Sequence, residues 1–300
     1  GPATNAATMI MVGKLLGKKS ASIYVASIIA VTLLCAVAAD ALYLCLGLEV
    51  HGWLDNVASF TPLAPHFAAH DLVMIDLPGH GRSSHRASGA WYHFIDYCTD
   101  VLAVVEALGW PRFSLLGHSL GGAIASILAA ALGDRIEHLY LIESLGPIST
   151  AEEKLPGLLA QALRDRQAIA GKQLRRFPSL EAAVAARRGN RDMPLSETSA
   201  RLLVERGVRA VESGYEWSSD PRLTLTSAMR LSEAQVRGYL AGIRCPTRLV
   251  VADPPMPFVD VEHMLARTRV VGDLRWTRLA GSHHLHMEMP AEVAAALRRD

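Results

Sequence analysis

The pentapeptide Gly117-His118-Ser119-Leu120-Gly121 follows the apolar run Phe113-Ser114-Leu115-Leu116 and opens a stretch rich in glycine and alanine. A run that short and continuous suits a strand covered on both faces, and the stretch after it has helical texture. A strand that turns into a helix so abruptly leaves no room for bulky neighbours, which accounts for the flanking glycines. The turn lifts the Ser119 hydroxyl clear of the backbone at the carboxyl edge of a sheet. The helix N-terminus beside it favours developing negative charge. An ordinary strand-helix turn is the plain alternative. The strand before and Gly121-Gly122-Ala123 after make Ser119 a candidate nucleophile.

Similar apolar runs recur at Leu72-Val73-Met74-Ile75, Leu139-Tyr140-Leu141-Ile142 and Leu249-Val250-Val251, with helix-like stretches over 97–108 and 121–132. Strand-helix alternation of this kind predicts an α/β, doubly wound fold with a mostly parallel sheet and helices on both faces. Residues 147–241 break the alternation. Ser149-Thr150-Ala151-Glu152 and Ser232-Glu233-Ala234-Gln235 are capping-box patterns, and Leu155, Leu159 and Leu163 form a helical stripe. The block reads as a helical cap, dividing the rest into core segments 49–146 and 242–300. Arg187-Arg188-Gly189-Asn190-Arg191 reads as a solvated helix end, an anion site being a minor alternative.

A serine hydroxyl needs a base to take its proton. In a fold of this kind the base lies after the nucleophile, near the last strand. Gly281-Ser282-His283-His284-Leu285-His286 comes just after the expected last strand, Leu274 to Leu279, and Pro290 then starts a final helix. His283, nearest the strand end, is the expected base. His284 and His286 would face elsewhere in the loop. A metal site on this cluster is not expected, because no carboxylate pair nearby completes a ligand set. The oxyanion needs two backbone N–H donors. Leu120, directly after the serine, is one; Trp53 in His51-Gly52-Trp53 fits the other.

HGWLDNVASF at 51–60, DLPGHGRSS at 76–84, GHSLGG at 117–122 and GSHHLHMEMP at 281–290 resemble, in this order, the α/β-hydrolase superfamily. The chain is most similar to its serine hydrolase-like branch, over roughly residues 51–300. The resemblance implies a Ser-His-acid hydrolase with a cap between the sixth and seventh strands, no cofactor, and a small-molecule acyl substrate. Ester, thioester or similar acyl-bond hydrolysis is the expected reaction, on a hydrophobic substrate. A C–C bond hydrolase would use the same residues. The acid is left between two positions. The usual one falls on or beside Pro255, so that Asp253 serves only if the register slips by two; Glu143 occupies the place some dehalogenase-like relatives use. Aspartate-nucleophile chemistry is excluded by Ser119. A catalytically silent binding protein is the alternative from another class.

The front of the chain is unlike the rest. Residues 20–39 are uncharged and preceded by Lys14, Lys18 and Lys19. Twenty apolar residues in a helix span about 30 Å, a bilayer core, with the lysines on the cytoplasmic side. The segment therefore reads as a membrane span, and the enzyme as membrane-anchored if the segment is native, otherwise cytoplasmic. Residues 1–48, beginning with Gly1-Pro2-Ala3-Thr4-Asn5, resemble a membrane-spanning piece of a permease; a permease fragment is the last-ranked alternative. The start at Gly1-Pro2 reads as a fragment or cloning scar. Leu46-Gly47-Leu48-Glu49-Val50 is a poor inner strand, since burying Glu49 unpaired costs several kcal/mol. With no two strands recognisable ahead of it, a fusion near 48–51 is expected. Lys plus Arg is 30 against 29 for Asp plus Glu, which leaves no electrostatic footprint for nucleic acid. Four cysteines make no disulfide framework.

Overall fold

Each of the apolar runs forms a strand, and the pattern of burial along those strands explains the layers. A computed structural model describes residues 46–67, 71–169, 174–190, 192–257 and 259–298. The expected membrane span at 20–39 and residues 1–45 of the permease-like segment 1–48 lie outside these residues, while Leu46, Gly47 and Leu48 belong to the first strand of the sheet. Among the described residues no helix is long and apolar enough to cross a membrane.

The elements run β1 (Leu46–Val50), β2 (Asp71–Ile75), α1 (Phe94–Leu108), β3 (Phe113–His118), α2 (Leu120–Leu132) and β4 (Ile136–Ile142). The cap comes next, with α3 (Leu155–Ala168), β5 (Arg176–Phe177), α4 (Leu180–Arg188), α5 (Glu197–Gly207), β6 (Val208–Val211), β7 (Gly214–Trp217) and α6 (Glu233–Leu240). The core resumes with β8 (Thr247–Asp253), α7 (Val261–Thr268), β9 (Leu274–Ala280), α8 (Leu285–Glu288) and α9 (Pro290–Arg298).

Six strands form one sheet in the order β2-β1-β3-β4-β8-β9, every neighbouring pair parallel. Successive side chains of a strand leave opposite faces, so a continuous apolar run serves two cores at once. Leu115, Leu141, Leu249 and Val251 pack with α1, α2 and α6 on one face. Their neighbours Leu116, Ile142, Val250 and Ala252 pack with α9 and the segment around Phe60 on the other. Each fully buried aliphatic side chain of this kind contributes roughly 1.5–3 kcal/mol.

Three local readings are corrected. Ser149 does not cap a helix: a 3₁₀ turn at Glu152–Lys154 intervenes, and the Ser149 hydroxyl donates instead to Glu233 Oε2 at 2.7 Å. The other capping box, Ser232 with Gln235, opens α6 as expected. The cap is not wholly helical, since it holds a three-stranded antiparallel sheet in the order β5-β7-β6. The strand read as a poor inner one, with Gly47 and Glu49 in it, is a regular inner strand, with Glu49 opposite Met74 on one side and Leu116 on the other. Glu49 is fully buried, and among the described residues neither carboxyl oxygen has a hydrogen-bond partner. Burial pushes its pKa up to about 8, so it is buried as a neutral acid.

Candidate active site

The parallel strands bring four chain segments to one edge. In register, Val50 lies beside Gly117, His118 beside Ile142, Ile142 beside Val250 and Asp253 beside Ala280. The residues just past these strand ends, His51-Gly52-Trp53, Ser119, Glu143 and Gly281 to His284, therefore share the carboxyl edge of the sheet.

Ser119 has φ 52°, a left-handed conformation that costs a non-glycine residue about 1–3 kcal/mol. Its neighbours keep it there. The Ser119 N–H donates to Ile142 O at 2.9 Å, and its own carbonyl accepts from Ala123 N at 3.0 Å. The flanking glycines are sterically required: a Cβ on Gly121 would run into Val50 O, and one on Gly117 into the Gly121 backbone. Leu120 is the first residue of α2, where backbone N–H groups lack intrahelical acceptors.

Glu143, directly after β4, also has positive φ, 58°. Its backbone N–H donates to Val250 O at 2.9 Å, which fixes it beside the end of β8. One carboxylate oxygen accepts from the Ala252 N–H. The other lies 3.1 Å from His283 Nδ1, both side chains being almost fully buried. A carboxylate only accepts hydrogen bonds, so Nδ1 carries the proton and Nε2 becomes the proton-accepting nitrogen of His283. Asp253 is not brought to His283. It is exposed, three residues past the Val250 level, about 10 Å further along the strand. Between the two candidate acids, Glu143 is the one that meets the histidine.

The turn after β1 is held by its first residue. His51 Nδ1 lies 2.7 Å from Gly52 O and its Nε2 accepts from Leu77 N at 3.0 Å. Burial lowers the His51 pKa against the pull of the Gly52 carbonyl, and an Nε2 that accepts a hydrogen bond carries no proton, so the ring is neutral. Trp53 is 49% exposed on this turn, and its indole N–H donates to the cap at Leu223 O, 3.0 Å away.

Sequence reasoning missed the polar cluster beneath these groups. His118, fully buried, places Nε2 2.8 Å from the carbonyl of His283. A carbonyl cannot donate, so Nε2 carries the proton. Burial, and after it the neighbouring His286, His283 and His284, holds the His118 pKa well below its ordinary value, and the ring is neutral. His284 donates from Nε2 to Asp55 Oδ2 at 3.1 Å, and Arg187 of α4 binds the other Asp55 oxygen. Burial alone would raise Asp55; the His284 and Arg187 beside it outweigh burial and hold its carboxyl well below the usual range. Arg187 is thus not the solvated helix end expected of it, since its side chain is only 18% exposed, against 48% for Arg188. The one available signal was Asp55 itself, a carboxylate four residues after His51. His286 is buried against His118, ring centroids 4.1 Å apart, and among the described residues neither of its nitrogens is hydrogen-bonded. Despite these imidazoles, no group of three or more His, Cys, Asp or Glu side chains among the described residues is arranged to hold a metal ion.

Further clamps join cap and core. Arg206 of α5 donates from Nε to Asp76 Oδ2 at 2.9 Å, Asn56 Nδ2 to Leu203 O at 2.9 Å, and the Asp220 N–H to Gly79 O at 2.8 Å.

Comparison with known proteins agrees with this architecture. The model of the alpha/beta hydrolase fold family matches residues 48–221. A serine hydrolase-like protein of Dictyostelium discoideum is 32% identical over 254 residues, 80% of this chain and 70% of that protein. The crystal structure of a hypothetical protein of Pseudomonas aeruginosa superposes with a TM-score of 0.79 at 41% identity, covering 85% of this chain and 89% of that one. A thioesterase domain from the curacin biosynthetic pathway gives 0.74 at 25% identity, covering 84% and 90%.

Proposed function

From the premise that this chain belongs to the α/β hydrolase fold family, we propose that it is a serine hydrolase working through an acyl-enzyme on Ser119. The observation that carries the reading is the meeting of His283 with Glu143 at the sheet edge where Ser119 is held in a strained strand-helix turn. In this reading His283 Nε2 takes the Ser119 proton as the hydroxyl attacks an acyl carbon. Glu143 stabilises the imidazolium that results and keeps the ring in the productive tautomer. The oxyanion is met by the backbone N–H of Leu120, on the helix next to the nucleophile, and by that of Trp53. His283 then returns its proton to the leaving oxygen or sulfur. A water activated by the same nitrogen releases the acid.

The substrate class is an ester or thioester with a hydrophobic acyl part. Likeness to the curacin thioesterase domain supports an acyl bond. Exposed apolar side chains of the cap and its approaches, Ile148, Leu159, Leu163 and Met229, support an apolar substrate. No cofactor enters the reaction as proposed.

A fluorophosphonate probe tests the reading without knowledge of the substrate, because it reports only an activated serine. Wild-type protein should be labelled and should hydrolyse short p-nitrophenyl esters, and Ser119→Ala should do neither. An unlabelled wild type would leave the hydrolase-fold binding protein as the better description. Labelling that survives in Ser119→Ala would place the nucleophile elsewhere.

A further inference from the structure

Asp55 joins parts of the site that lie far apart in sequence. It lies on the turn that carries Trp53, its backbone N–H donating to Gly52 O at 3.2 Å. Gly52 has no room for a side chain because a Cβ there would lie 2.9 Å from His118 Nδ1 and 3.1 Å from Asp55 Oδ2. The same Oδ2 accepts from His284, the residue next to His283, and lies 3.9 Å from His118 Nδ1. His118 in turn holds the His283 carbonyl at 2.8 Å. On its other oxygen Asp55 receives Arg187, which arrives from cap helix α4, 132 residues away in sequence. One carboxylate, its side chain only 3% exposed, therefore binds the turn after β1, the base loop and the cap together.

A clamp that only fastened the cap would not need the residue adjacent to the base. We propose that Asp55 is a positioning residue through which cap helix α4 sets the placement of His283: with Arg187 seated, His284 and the His283 backbone are locked, and without it the base loop loosens. This rests on the reading of His283 as the general base. It adds that cap and catalysis are coupled by the Arg187–Asp55–His284 connection and not merely by covering of the substrate.

The coupling is tested on the full chain by steady-state ester hydrolysis, fluorophosphonate labelling rate and thermal unfolding of four variants. Asp55→Asn and Arg187→Ala should each lower kcat by about 10- to 100-fold, the cost of a misplaced catalytic group, with KM close to wild type. Labelling rates should fall in parallel. The double variant should lose no more than Asp55→Asn alone, because both remove the same connection. Arg188→Ala, which removes a cap charge of the same sign one residue away, should keep wild-type kcat. If Asp55→Asn does not fold, Arg187→Ala and His284→Gln carry the same test. A raised KM with unchanged kcat would show a cap fastener only and overturn the proposal. So would additive losses, or unchanged kinetics in every variant. Absence of labelling in wild type would instead defeat the serine hydrolase reading itself, and this inference with it.

Discussion

Glu143 and Glu49 are both buried in the same parallel sheet, and their different positions along a strand give them opposite chemistry. Glu143 stands just beyond the end of β4, where the ladder has stopped and backbone donors remain: it takes the Ala252 N–H and His283. Glu49 stands inside β1, paired on both sides, where the backbone groups are committed to β2 and β3. Among the described residues its carboxyl has no hydrogen-bond partner. A sheet edge can hold a carboxylate and put it to use. The middle of a sheet can hold only its neutral form, at a cost in stability.

The largest effect should come from removing the charge at the edge. Glu143→Gln keeps the shape and can still accept from Ala252, but no longer imposes one tautomer on His283 or stabilises its protonated form. Loss of kcat by roughly 10³- to 10⁴-fold is expected, with folding intact. Circular dichroism and p-nitrophenyl ester kinetics on the purified variant check both parts. A loss smaller than about tenfold would break the contrast, since Glu143 would then be as idle as Glu49.

The two glutamates also mark how far the sequence could be read. β2, β3, β4 and β8 were legible because strands of a parallel sheet are continuous apolar runs, and α1 and α2 from the helical texture between them. Ser119 was legible because only glycine fits at 117 and 121. His283 was legible from its place after the last strand. The carboxylate that meets His283 was not, because Glu143 follows the end of one strand and Asp253 ends another, and which one reaches His283 depends on the β4–β8 register. Arg187 was misjudged for a related reason: a basic run at a helix end is usually solvated, and its partner Asp55 is distant in sequence. The cap sheet escaped because its strands are two to four residues long and carry Arg176, Arg209 and Glu216, without clean alternation. Glu49 made β1 look like a poor inner strand, when the strand tolerates it by keeping it protonated.

That tolerance gives the middle-sized prediction. Folding raises the Glu49 pKa from the ordinary 4.5 to about 8, so between those values only the unfolded chain releases the proton. This group leaves stability untouched below about pH 4.5, erodes it as pH rises, and exerts its full cost above about pH 8. Glu49→Gln cannot ionise in either state. Its advantage over wild type should be near zero in acid and grow to at most roughly 4 kcal/mol at pH 8, by the pKa difference. Urea unfolding at a series of pH values measures it. A margin that does not change with pH would mean that Glu49 finds a partner for its charge.

The smallest effect is expected at the other candidate acid. Asp253 is exposed at the end of β8, and the contact it makes with the base loop is through its main chain, whose carbonyl accepts from Gly281 N at 3.2 Å. Asp253→Asn leaves that bond in place and changes only a solvated charge, which is worth within about 0.5 kcal/mol. Activity should therefore stay within about twofold of wild type. The informative comparison is in the background of Glu143→Gln. If Asp253 could swing in as a substitute acid, the residual turnover of Glu143→Gln would depend on it, and the double variant would lose that remainder. If the β4–β8 register alone decides which carboxylate serves, the double variant should match Glu143→Gln. Residual activity would then come from the oxyanion donors and substrate binding, which neither carboxylate supplies.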